Sequence, residues 1–366
     1  MNISEDMLAI LEAARWAPSG DNMQPWRFKV IDDQTIYIIR MNNAENVLNS
    51  FSNHEPDFIA LGCLLENIRL AAAAQNKTAT WEYQGTIAQL DHIKVHFEKT
   101  EEDLDFSLLS YVKTRSVNRR PYKIKRLTAP DKEALNKALG LQLKIYWFED
   151  FSPKLKLSLL LMSALKQRMQ MKLTQELLTK AIDTKQRLSP HKIPIATLPL
   201  DPLSMMFNKF ILADIRRIKV AALIPGALVF PQIQVELLPG IQCAAHFIVE
   251  WKGKRPEKPK TVIEAGQHIQ RFWLEATRRG IAVQPTYAFP LFYHGGKFNP
   301  EYFADNQKQI NKLKKFAREF EKFYGANSEH VFFTGRIGYP KHNNTKARST
   351  RRPIEDLLIE GTPKAI

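Results

Sequence analysis

The sequence predicts an α+β fold, with mainly antiparallel sheets flanked by helices, and three observations lead there. Residues 26–31 and 35–40 are short runs rich in aromatic and β-branched side chains, separated only by Asp32-Asp33-Gln34, which reads as a hairpin. Two long stretches, about 56–75 and 261–279, carry apolar residues of the kind that make core helices; the first is apolar on nearly every side. Finally, these two stretches overlay with an offset of 204 residues, which sets Gly62 on Gly266, Leu70 on Leu274 and Ala72 on Ala276. Each then leads into a strand. Three identities in one overlay prove little alone, but with the similar element order on either side they suggest an internal duplication. The halves are expected at 1–105 and 106–366, with a lid-like insertion at about 188–240.

Taken in order, Ser4 suits a helix cap, and Glu5 and Asp6 favour the positive end of the helix that follows. Met7, Ile10, Leu11 and Ala14 form its apolar stripe, and Pro18-Ser19-Gly20 stops it. After the hairpin and the first core helix, residues 78–83 and 92–97 read as strands. A helical stretch is expected at 106–117, another helix from Pro130, a strand at 141–148 and one long helix over 155–182. The region 188–240 differs, with seven prolines and one amphipathic piece near 205–223, and long structured excursions of this kind usually cover a site. An amphipathic helix at 306–324, a strand at 330–337 and a basic tail complete the chain.

Composition narrows the function classes. The chain has 366 residues, 44% of them hydrophobic, which suffices for a sizeable core. Only two cysteines occur, Cys63 and Cys243, too few for a disulfide framework or a thiolate cage, and they favour a reducing compartment. No apolar run approaches the length of a membrane span; the best candidate, around 220–230, is broken by Pro225 and Gly226. The N-terminus is acidic and immediately helical, unlike a secretory signal. A cytoplasmic protein is expected, without membrane or nucleic-acid partners. The formal charge of +15 lacks the interleaved basic–aromatic stripe that nucleic-acid binding would call for.

Four stretches can carry chemistry. In Ala17-Pro18-Ser19-Gly20-Asp21-Asn22-Met23-Gln24-Pro25-Trp26, a loop presents Asn and Gln, whose donors and acceptors suit the edge of a heteroaromatic ring; on pattern alone, a rigid self-bonded turn is the simpler reading. Arg115 and Arg119, four apart, would share one helix face, a repulsion that a bound anion would relieve, and Arg suits phosphate. A solvated basic turn reads equally well. Gly280-Ile281-Ala282-Val283-Gln284-Pro285-Thr286-Tyr287-Ala288-Phe289 is an apolar strand ending in a loop whose small residue lets main-chain N–H groups approach a ligand; an ordinary buried strand is the simpler reading. The tail holds Arg336, Lys346, Arg348, Arg351 and Arg352, a basic cluster of the kind that is most often merely solvated. No G-x-G-x-x-G, P-loop, H-E-x-x-H, C-x-x-C or G-x-S-x-G occurs. His92 and His96 read as a surface pair.

Together these pieces resemble the FMN-dependent nitroreductase superfamily. Residues 18–26 match its P-S-x-x-N-x-Q-P-W signature at every defined position, 115–122 look like its basic FMN-binding segment, and 280–289 are similar to its G-[LI]-x-x-x-P-x-x-[GA]-F stretch. Gly338-Tyr339-Pro340 and Arg352-Pro353-Ile354-Glu355-Asp356-Leu357 resemble its closing pieces. Their order departs from the usual one, since the asparagine–glutamine loop precedes the basic segment and is not repeated in the second half. That resembles the tandem, single-chain branch of the family, Acg-like or ThiF-associated, in which one chain forms a pseudo-dimer. The resemblance implies one FMN per monomer, in the cleft between the halves. Pro18, Ser19, Gly20, Asn22 and Gln24 would reach in from the first half. Arg115, Ser116, Asn118 and Arg119 would contribute from the second, with Pro285, Thr286, Tyr287 and Ala288 beside the flavin and Arg351 and Arg352 closing on the phosphate. It further implies hydride transfer from NAD(P)H to a nitroaromatic, quinone-like or other conjugated small molecule, with no catalytic side chain and no metal. Two alternatives stand beside it: a lid-closed FMN-sequestering protein with little turnover, and a flavin oxidase or dehydrogenase serving a biosynthetic partner enzyme.

Overall fold

Ser4 accepts the Met7 N–H and opens the helix Glu5–Ala14, whose Met7, Ile10, Leu11 and Ala14 are buried as the stripe requires. In this computed structural model, residues 3–41, 54–86, 89–224, 226, 229–256, 258–341 and 346–359 are described. β1 (Trp26–Asp32) and β2 (Thr35–Arg40) form the expected hairpin. The core helix Glu55–Ala73 follows, then β3 (Lys77–Thr86) and β4 (Gln89–Lys99). These four strands make one antiparallel sheet in the order β1-β2-β4-β3.

The second part opens with the helix Ala129–Ala138 and β5 (Leu143–Phe148). A long excursion then holds three two-residue strands, β6 (Ile182–Asp183), β7 (Leu188–Ser189) and β8 (Ile193–Pro194). The main path resumes with β9 (Ala245–Trp251), the core helix Pro259–Arg278, β10 (Ala282–Pro285) and β11 (Val331–Gly338). Their sheet runs β5-β9-β11-β10, again antiparallel throughout. Both sheets thus follow one scheme, helix–strand–strand–helix–strand–strand, with the fourth strand placed between the second and third. A last short strand, β12 (Arg348–Ser349), pairs in parallel with β7.

The two core helices cross at Gly62 and Gly266, where the lack of side chains lets the backbones touch: a methyl built on Gly62 would fall 2.7 Å from the Gly266 Cα. One hydrophobic cluster runs through this crossing, from Leu61 and Phe28 to Ile263, Phe272 and Phe332. Gln270 donates to Asn67 (2.7 Å), and the fully buried Glu66 is held by Arg69 and Arg271. Burial of Glu66 is tolerable only because both guanidiniums accompany it. Cys63 and Cys243 are free and buried, and burial lifts both thiols to about 12, which leaves them unreactive.

Three expected helices differ. Only the turn Leu109–Tyr111 forms within 106–117. The long helix over 155–182 is two, Phe151–Arg168 and Lys172–Ala181, because the Thr174 hydroxyl and the Gln175 amide take the carbonyls of Met171 and Met169 and stabilise the break. The piece at 205–223 is likewise two helices, Pro202–Leu212 and Ile215–Leu223, with the Asp214 carboxylate accepting the Arg216 N–H to start the second. The excursion has its own small core of Ile193, Ile195, Ile211, Leu212 and Ile218.

Candidate functional site

The loop after the first helix is coiled tightly. Asp21, Asn22 and Gln24 all have positive φ (48°, 64° and 53°), a conformation costing on the order of 1 kcal/mol or more for each such residue. Local bonds hold it there: Ser19 Oγ accepts the Gln24 N–H (2.9 Å), and Gln24 Nε2 donates to the Asn22 carbonyl (2.9 Å). Pro18 precedes this coil and the exposed Gly20 forms its outer bend. The result aims both amides at the C-terminal tail. Arg351 donates to Asn22 Oδ1 (2.9 Å) and to the Ala17 carbonyl (2.9 Å), and the Arg352 N–H donates to Gln24 Oε1 (2.9 Å).

Two cation nests flank this junction. In one, Trp16 is surrounded by the guanidiniums of Arg15, Arg348 and Arg351, at 5.6, 5.0 and 5.9 Å from its ring centre. Arg115 joins them, donating to the Trp16 carbonyl (3.3 Å) with its guanidinium 4.5 Å over Trp273. Arg15 is paired with Glu12 (2.8 Å), but among the described residues Arg115, Arg348 and Arg351 show no carboxylate partner. The Nε atoms of Arg115 and Arg348 are buried and unbonded. Burial, aided by the neighbouring cations, pulls Arg351 well below the ordinary arginine value and burial lowers Arg115 to about 10. A buried positive cluster of this kind is expensive unless an anion joins it.

The other nest is mixed in charge. Arg336 is fully buried on β11 and donates to Gln284 (2.5 Å) and to the Glu236 carbonyl (2.8 Å), with the Glu236 carboxylate 3.2 Å away. Arg168 pairs with Asp21 (3.1 Å). Arg119 sits among Asp21, Glu236, Arg336 and Arg168, and burial lowers it to about 10. Burial also raises the Glu236 carboxyl, against the pull of these arginines.

Arg115 and Arg119 therefore do not share a helix face as the spacing suggested. The chain between them is extended: Val117 bridges to Val283 of β10, and Asn118 donates its N–H to the Val283 carbonyl (3.1 Å). Asn118 then closes a turn on Arg120, and Ser116 faces solvent. The two arginines end on opposite nests. The basic segment and the end of β10 are brought side by side, but the Thr286 N–H is committed to the Thr334 carbonyl (2.9 Å). Thr286 cannot present it to a ligand. After Pro285, Tyr287 reaches the buried Glu55 of the first core helix (2.7 Å), which is ion-paired with Arg255, and Ala288 opens the helix Ala288–Phe298.

The excursion lies over the loop. Gln24 Nε2 donates to the Pro190 carbonyl (2.8 Å), and Asn22 Nδ2 donates to the Thr350 carbonyl (3.1 Å) with the Ser189 carbonyl at 3.4 Å. Every polar atom of the two amides is engaged. Sequence reasoning assigned no role to Arg15, Trp16, Arg168, Glu236 or Arg336 in the site. Arg336 alone carried a signal, as part of the basic tail.

Residues 4–54 match the model of the Nitroreductase family. No curated protein matches the chain. Among solved structures, the FMN-dependent nitroreductase NfnB from Mycobacterium smegmatis, in complex with NADPH, is 12% identical, with 70% of this chain and 99% of that one covered and a TM-score of 0.38. A nitroreductase with bound FMN from Bacteroides fragilis is 14% identical over 70% of this chain and 95% of its own, with a TM-score of 0.32. Another with bound FMN, from Desulfitobacterium hafniense, is 11% identical over 71% of this chain and all (100%) of its own, with a TM-score of 0.33.

Proposed function

We propose that this chain is an FMN-dependent oxidoreductase of the nitroreductase type, a tandem single-chain form that holds one FMN between its halves. The observation that carries the reading is the nest at Trp16. Arg115 and Arg351 are buried and Arg348 is half-buried there, with no carboxylate partner among the described residues, and a phosphate group would supply the missing negative charge and accept from the idle Nε groups of Arg115 and Arg348. The residues present thus fit the phosphate end of FMN. Asn22 and Gln24 bond to Arg351 and to the Arg352 N–H at the edge of this nest, with Ser19 Oγ on the Gln24 N–H, and the three would orient the ring edge. The family match over residues 4–54 supports the assignment, since it contains this loop.

When bound, FMN supplies the hydride chemistry, taken from NAD(P)H and given to a small conjugated acceptor such as a nitroaromatic or quinone. The protein's part is to bind, orient and exclude water. The repeated sheet topology and the crossing of two equivalent glycines support a duplicated fold joined near residue 105 and acting as a monomer.

The carbonyls of Ser189 and Pro190 on the amides favour a second reading, in which the excursion seals the site and the protein stores FMN with little turnover. One experiment separates the cases. Flavin absorbance of the purified chain, with added FMN, should give about one FMN per monomer, and mixing with NADPH or NADH should bleach it. A colourless protein that stays so rejects both readings, and a bound flavin that millimolar NAD(P)H leaves oxidised selects the store.

A further inference from the structure

The helices of the excursion turn apolar side chains both ways. In Pro202–Leu212, the inward face is Ser204, Asn208, Ile211 and Leu212, half of it polar. The outward face is Leu203, Met206, Phe207 and Phe210, an i, i+3, i+4, i+7 stripe with Leu203 71% and Phe210 57% exposed. The next helix, Ile215–Leu223, buries Ile218 and Ala221 yet leaves Leu223 82% exposed, with Ile224 and Phe230 exposed beyond it. Large exposed apolar patches on a soluble surface mark an interaction site.

Cations frame the patch. Lys209, Arg217 and Lys219 are exposed on the same two helices, Arg216 beside them is paired with Asp214 (2.7 Å), and the Arg217 guanidinium lies 4.0 Å over Phe210. Leu223, Ile224 and Val229 form one wall of a groove of about 760 Å³ whose other residues include Lys166, Lys172, Lys308 and Lys312. None of these four lysines, nor Lys219, shows a carboxylate partner among the described residues. Among the described residues the one acid lining the groove, Asp305, already accepts the Lys172 backbone N–H (2.9 Å).

We infer that the face formed by the helices Pro202–Leu212 and Ile215–Leu223 docks on an anionic lipid surface, with Phe207, Phe210 and Leu223 entering the interface and the surrounding lysines meeting lipid phosphates. An apolar tip ringed by lysine is the pattern of a peripheral, interfacial helix pair. A second copy is the poorer occupant, because a two-fold contact would press this patch, and its cations, against itself. No described helix is long and apolar enough to cross a membrane. The sequence-based exclusion of membranes rested on that length, and a helix lying in the interface does not need it. The inference does not depend on the flavin reading.

The test is co-sedimentation of the whole chain with phosphatidylcholine vesicles, with and without about a third phosphatidylserine. Binding should be at least about tenfold tighter to the anionic vesicles and weaken in ~0.5 M salt. Phe210→Ser with Leu223→Ser should abolish it, while Lys219→Glu with Lys308→Glu should remove the anionic preference; all four are surface changes, checked by an unchanged thermal melt. Leu223→Trp provides a gain of signal, a blue shift of emission on adding anionic vesicles. Wild-type-like binding by the serine variant, no binding at low salt, or a self-associated chain that the serine variant dissociates would each overturn the inference.

Discussion

Gly62 and Gly266 meet back to back where the two core helices cross, and the contact is reciprocal. A methyl on Gly266 would fall 2.6 Å from the Ile59 carbonyl oxygen, and one on Gly62 would collide with the carbonyl oxygen of Ile263. Ile59 and Ile263 stand 204 apart, as do the glycines. The duplication proposed above would bring equivalent residues together at a two-fold axis in this way. Neither helix can yield without opening the core that the two helices share.

Gly62→Ala and Gly266→Ala should therefore each destabilise the fold, by about 1–3 kcal/mol or more, the usual cost of overpacking. Because both act on one contact, the double variant should cost less than the two effects added. Urea unfolding checks it: full additivity would mean that the helices accommodate each methyl separately.

The equivalence of the two glycines was visible in the sequence because glycine leaves a mark at a fixed offset, though their contact was not, and the hairpin and core helices were visible through periodicity. The loop from Pro18 to Trp26 was visible because Ser19, Asn22 and Gln24 are distinctive side chains. The partners of those side chains were not. Ser189 and Pro190 approach Asn22 and Gln24 with carbonyl oxygens, which every residue has. Nothing in the sequence marks Arg15, and only the fold brings it beside Arg348, more than three hundred residues away. The outward stripe from Leu203 to Phe210 has the same period as an inward one, so periodicity could not say which face was buried.

Arg115→Met should move two measurements in opposite directions. Without ligand, it removes a buried cation from beside Arg351 and Arg348 while keeping much of the bulk over Trp273. Unfolding free energy should stay level or rise by up to ~1 kcal/mol. With FMN, it removes a charged donor, and affinity should fall about tenfold to a hundredfold, as for a charge-assisted bond. A variant that loses stability and keeps its flavin affinity would remove Arg115 from the phosphate site.

Flavin binding should also change the protection of the excursion. Asn22 and Gln24 cannot serve a ligand while holding the carbonyls of Ser189 and Pro190, so the segment from Leu188 to Thr197 must release them. Amide exchange of peptides covering this segment should be slow in the free protein and accelerate by at least about tenfold when FMN is added. Equal exchange with and without FMN would place the flavin away from the two amides.

Acid should weaken the fold through His246. Its Nε2 donates to the Gly240 carbonyl (3.0 Å), so a second proton must go to Nδ1, which is buried without a partner. Burial, with Arg336 nearby, lowers this imidazole to about 3. The folded value lies below the unfolded one of about 6.5, so the unfolded chain binds more protons throughout the interval between them. The stability contribution is complete above about pH 6.5 and is lost as pH falls toward 3. Between pH 7 and pH 5 it should amount to roughly 2 kcal/mol from this group. Urea midpoints at the two pH values should show the loss, and His246→Gln, which cannot titrate, should flatten the difference by about that amount. A variant with the wild-type pH slope would assign the acid sensitivity to other groups, beginning with His294, which burial and Arg255 also lower to about 3.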